Sequence, residues 1–130
     1  PETREHLDKA REHLAKARTF LDVVNYPDEA GRAAYLAAFH AAQALISERT
    51  GRIARTHAGV HSQFNLLTKG DPQIDAELRH FLSDGFDLKT VSDYQVGPEA
   101  QVAPEDARAA IATAARLIEC VTAILAEEPQ

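Results

Sequence analysis

Along nearly the whole chain apolar residues recur every three or four positions, and nowhere do they alternate with period two. A stripe with that spacing lies on one side of an α-helix and is stable only when buried against a neighbour. In the first segment the stripe is Leu7, Ala10, Leu14, Ala17, Leu21 and Val24, with Glu2, Arg4, Asp8, Lys9, Arg11, Glu12 and Lys16 on the faces left to water. Asn25-Tyr26-Pro27 ends it, because proline lacks an N–H and disfavours helical geometry in the residue before it. Asp28 is read as the cap of a second helix reaching about Thr50, with Gly51 as its stop. There Tyr35, Phe39, Ala42 and Ile46 share a face. Ala34, Ala37, Ala38, Ala41 and Ala44 let neighbouring helices come close, so this segment is expected to be central and most buried.

Thr56 suits the cap of a third helix carrying Val60, Phe64 and Leu67 and closed by Lys69-Gly70. Asp71-Pro72 then reads as cap and first residue of a fourth, with Ile74, Leu78, Phe81, Leu82 and Phe86 as its stripe. Gly85 weakens that helix by about 1 kcal/mol relative to alanine. A loop is expected from Val96 to Ala103. Pro104, Glu105 and Asp106 open a last helix with Ala107, Ile111, Ala114, Ile118, Val121 and Leu125 as its stripe. Five helices with short connections predict an all-α, up-and-down antiparallel bundle, and 130 residues suit one domain over 1–130.

Charge and cysteine content narrow the chemistry. Fourteen Lys+Arg against twenty Asp+Glu give −6, so nucleic acid would have to be held by a local basic cluster. Cys120 alone excludes an internal disulfide and a multi-thiolate zinc site, and its setting beside Ile118 and Val121 reads as packing. A reducing, cytoplasmic location is expected, without a secretory leader. No apolar run approaches the roughly 20 residues of a bilayer span, so no membrane is expected among the partners.

Six histidines invite a metal reading. His57 and His61 stand one turn apart, but no third ligand is near in sequence, and polar surface histidines are the simpler account. Glu77 and His80 make a single Glu-x-x-His, where a di-iron bundle needs two copies and further carboxylates. No metal and no cofactor is expected. His40, inside the alanine-rich helix, needs a partner for each ring nitrogen; it is either a satisfied core histidine or a residue shaping a site between helices. Arg49, Arg52 and Arg55 form the densest basic patch, suited to phosphate or simply to a helix C-terminus. No glycine-rich phosphate loop or nucleophile elbow occurs.

Gly31-Arg32-Ala33-Ala34-Tyr35-Leu36-Ala37-Ala38-Phe39-His40-Ala41-Ala42 resembles the signature helix of the HEPN-domain family. Thr56-His57-Ala58-Gly59-Val60 resembles the next marker of its small prokaryotic branch, and Leu88 through Asp93-Tyr94 the end of its fourth helix. The resemblance implies a HEPN-like bundle, usually a homodimer with its site near the dimer cleft. Many members are metal-independent endoribonucleases, often toxins beside a nucleotidyltransferase-type antitoxin. Their arginine, followed after four to six residues by histidine, would stabilise phosphorane charge and move a proton. Here Lys89 stands for the arginine and Tyr94 for the histidine. Lysine lacks the bidentate fork, and a phenol with a reference pKa of ~10 is a poor base. Asp93 could accept a proton but repels phosphate. Arg52 and His57 satisfy the string literally, outside the family's catalytic location.

The leading expectation is thus a dimeric domain that engages RNA or a nucleotide-bearing partner with catalysis weakened. Lys89, Asp93 and Tyr94 would line the cleft, supported by Arg32, Tyr35, His40 and His57. The alternatives are an active endoribonuclease toxin, and an interaction module without chemistry.

Overall fold

The computed structural model describes residues 2–94 and 101–127, with backbone alone at 91–94. Five helices run in chain order: α1 (Thr3–Asp22), α2 (Pro27–Thr50), α3 (His57–Thr68), α4 (Ala76–Tyr94) and α5 (Pro104–Glu127). The described residues contain no strand, as the absence of period-two patterning requires.

α2 is the axis of the bundle and touches each of the other four helices. Its alanines explain this: Ala30, Ala34, Ala37, Ala38, Ala41, Ala42 and Ala44 are fully buried, so neighbouring backbones close in on every side. Around it pack Ala10, Leu14, Ala17 and Leu21 of α1, Val60 and Phe64 of α3, Leu78 and Leu82 of α4, and the Ala107–Ile124 stripe of α5. Each fully buried leucine or phenylalanine contributes about 1.5–3 kcal/mol relative to exposure. Glycines set the α2–α4 crossing. A Cβ at Gly31 would lie 3.3 Å from Leu88, and one at Gly85 would lie 3.3 Å from the Tyr35 ring.

Several local signals hold. Gly51 ends α2 at φ 74, and Thr56 caps α3, accepting from the Gly59 N–H at 2.9 Å. Others need correction. α1 stops at Asp22, with Val23 and Val24 exposed and Asn25 at φ 59, so Val24 is no part of the buried stripe. Asp28 does not cap α2: Pro27, preset for helix, already occupies its first turn. The Asp28 carboxylate is wholly buried and accepts from the N–H groups of Gln101 (2.9 Å) and Val102 (2.8 Å). It thereby ties the end of the α4–α5 connection to α2. Residues 96–100 of the expected loop lie outside the described residues. α4 begins at Ala76 and not at Pro72, because Asp75 accepts from the Leu78 N–H at 2.9 Å and takes the capping role, while Asp71 turns the chain through Gln73.

One more expectation is amended. α5 is long and apolar enough to cross a bilayer by length and composition. Its apolar content is that of a core helix, with Ala107, Ile111, Ala114, Leu117, Ile118 and Val121 buried in the bundle.

Candidate functional site

Five of the six histidines gather on one side of the bundle, in two groups joined by phenylalanine. The first group centres on Tyr35. Its position in α2 makes the ring fully buried, yet its hydroxyl emerges beside α3. There it lies 2.8 Å from His57 Nδ1 and 2.8 Å from His61 Nε2. Both histidines occupy the same face of α3 because they are one turn apart. A phenol carries one hydrogen, so Tyr35 donates to one imidazole and accepts from the N–H of the other. Burial raises the Tyr35 pKa, keeping the hydroxyl protonated. Burial, with His57 second, lowers that of His61, keeping its imidazole neutral. Phe86 of α4 closes the group, 5.0 Å from the His57 ring and 5.8 Å from the Tyr35 ring.

The second group lies at the α1–α2 seam. His6 and His13, seven residues apart on α1, flank His40 of α2 with ring centroids 5.3 Å away on each side. His6 Nδ1 and His40 Nδ1 are 3.0 Å apart and share a hydrogen bond. Burial, then the neighbouring His13, His6 and Lys9, pushes His40 down to about 4. His6 and His13 are also lowered, chiefly by burial, with Lys16, Lys9 and Arg32 adding to the effect on His13. All three rings are neutral at pH 7.

Phe39 connects the groups, edge-on to His40 at 5.4 Å and 4.6 Å from His57. The result is a continuous band of rings across α1, α2, α3 and α4. Tyr35 is its buried anchor. His6, His13, Phe39, His40, His57, His61 and Phe86 are half-buried, their outer parts reaching solvent. Half-buried Arg32 acts by its charge on His13, and half-buried Lys89 follows Phe86 by three residues on α4.

Tyr35, His40, His57 and Arg32 therefore fall on one side of the molecule, and Lys89 follows Phe86 of that side on α4. The side chains of Asp93 and Tyr94 lie outside the described residues. His57 and His61 are not the surface histidines expected from spacing alone, and among the described residues no three ligating groups converge on a metal position. Arg52 lines a different cleft of about 380 Å³, with Ile46, Ile53, Gly59 and Gln63. Gly59 and Gln63 lie on the face of α3 opposite His57, so Arg52 and His57 do not form one catalytic pair. His6, His13 and Phe86 escaped sequence reading as site residues. The only signal for the histidines was their seven-residue spacing beside Ala10 and Ala17.

A family model described as HEPN domain matches residues 3–125. Among solved structures, TT1696 from Thermus thermophilus is similar in fold, with a TM-score of 0.73 at 22% identity over 94% of this chain and 97% of that one. No curated protein matches.

Proposed function

We propose that this chain, which belongs to the HEPN-domain family, binds single-stranded RNA or the nucleotide of a partner across the ring band, with little or no cleavage. The observation that carries this reading is the band itself: half-exposed ring faces in continuous contact, with Arg32 and Lys89 alongside. Unstacked bases lie well on aromatic and imidazole faces, each stack being worth about 1–3 kcal/mol. Arg32 and Lys89 would bring positive charge for phosphate to the band in a chain whose net charge is −6. Lys89 and Tyr94 replace the arginine and histidine of the family's ribonuclease motif, which supports binding over catalysis. The proposal includes a homodimer and a nucleotidyltransferase-type antitoxin as partner, both carried over from the family resemblance, and a cytoplasmic setting, which the lone Cys120 favours.

Fluorescence anisotropy with labelled single-stranded RNA and with nucleotides tests it. Binding should weaken as salt rises, and Lys89→Ala should reduce the salt slope. A monomer that binds none of these ligands at low salt rejects the reading.

A second reading, an endoribonuclease recruiting His57, is favoured by the Tyr35 bridge. A phenol between two imidazoles can pass a proton from one to the other without forming phenolate. RNA cleavage abolished by His57→Asn, with binding retained, would establish it.

A further inference from the structure

The three-histidine stack invites a question that RNA binding leaves open: why three imidazoles sit in contact with, among the described residues, no buried carboxylate beside them. We infer that His6, His40 and His13 form a proton-operated latch, which holds the first half of α1 on α2 while the rings are neutral and releases it when they become charged.

The geometry supplies the mechanism. The rings interleave α1–α2–α1, so any repulsion among them acts directly across the seam. The 3.0 Å Nδ1–Nδ1 bond needs one nitrogen with hydrogen and one without. A neutral pair satisfies this, as does a pair sharing one added proton. A pair with both rings protonated cannot, and two cations then face each other at hydrogen-bond distance. The surrounding charges bias proton uptake. Glu2, just before α1, and Glu5 favour a proton on His6 while Lys9 opposes it, and Glu2 Oε2 lies 3.8 Å from His6 Nε2. Glu12 favours one on His13, but Lys9, Lys16 and, from α2, Arg32 oppose it. The charges acting on His40 are His13, His6 and Lys9, all opposing. These charges lie on α1, on α2 and at Glu2. Carboxylates thus favour a proton on His6 and on His13, while the charges acting on His40 all oppose one.

Resting on the RNA reading above, the latch also regulates that site. His40 meets Phe39 edge-on, so its protonation adds positive charge at one end of the band. RNA binding and proton uptake then strengthen each other reciprocally.

Amide hydrogen exchange on the free full chain, expressed as protection factors, tests the latch without RNA. Between pH 6.5 and pH 4, proton uptake by His40 alone can favour the open seam by up to about 80-fold. Because the ring is half-exposed, we expect about tenfold or more loss of protection for residues 6–14, while the core of α5 changes less. His40→Gln should flatten this dependence. Should that variant fail to fold, His6→Gln, on the more exposed helix, makes the same test. Protection over 6–14 that is independent of pH, or an equal acid loss in the variants, overturns the latch. Wild-type RNA affinity should rise at least threefold from pH 7 to pH 5, and His6→Gln should not follow. An equal rise in both overturns the coupling. Absence of RNA binding at either pH rejects the RNA reading while the exchange result stands by itself.

Discussion

Replacing Tyr35 by phenylalanine removes one oxygen and leaves the packing of the ring against Phe39 and Phe86 in place. The lost atom is the hydroxyl that contacts both His57 and His61 at 2.8 Å. Each neutral hydrogen bond has a net worth of about 1 kcal/mol, and an imidazole nitrogen left without a partner adds a desolvation cost. Both histidines are half-buried, so water reaches part of what is lost. Tyr35→Phe should therefore destabilise the protein by about 1–3 kcal/mol. For a domain of this size that corresponds to a melting temperature lower by roughly 3–10 °C. Urea unfolding at pH 7.5, followed by circular dichroism, measures it; the midpoint should fall with an unchanged m value. A loss below about 0.5 kcal/mol would refute the reasoning, because the phenol would then carry neither bond.

Other predictions follow from the same structure. Asp28→Ala leaves the Gln101 and Val102 N–H groups without their carboxylate and should cost about 2–4 kcal/mol in urea unfolding; a cost under 1 kcal/mol would mean that it does not hold the connection. Stability should fall as pH drops from 6.5 toward 4. A histidine whose folded pKa is lowered takes up fewer protons than the unfolded chain in that window, so acid favours unfolding. Allowing for partial exposure, His40 should account for about 1–2 kcal/mol of that fall. Urea midpoints at pH 4.5, 5.5 and 6.5 measure it, and a flat profile contradicts the neutral stack. Arg32→Ala should weaken RNA binding about threefold to tenfold across sequences, read by anisotropy, because a phosphate contact carries no base preference.

The helices were legible because each stripe repeats often enough to outvote local ambiguity. Ala107, Ile111, Ala114, Ile118 and Val121 all face inward, as their spacing required. Stops at Gly51 and Gly70 were legible because positive φ leaves glycine as the ready choice. Starts were less so. Asp71 and Asp75 both have a capping side chain, and only the three-dimensional course shows that Asp75 is used for α4. Asp28 was misread for a related reason, since a carboxylate near a helix start serves equally well as a tertiary acceptor. The resemblance brought Tyr35, His40 and His57 into view one at a time. What joins them is tertiary: the Tyr35 bridge spans α2 to α3, and the stack is made by two α1 histidines that no local pattern ties to His40.

The ring band as ligand platform is tested most directly by titrating the isotopically labelled protein with a short single-stranded RNA while following aromatic and histidine resonances. Shifts should concentrate at Phe39, His40, His57 and Phe86, with Lys89 amide signals moving in step. Shifts confined to the α2–α3 corner carrying Arg49, Arg52 and Arg55, or an unchanged band at saturating RNA, would contradict the account.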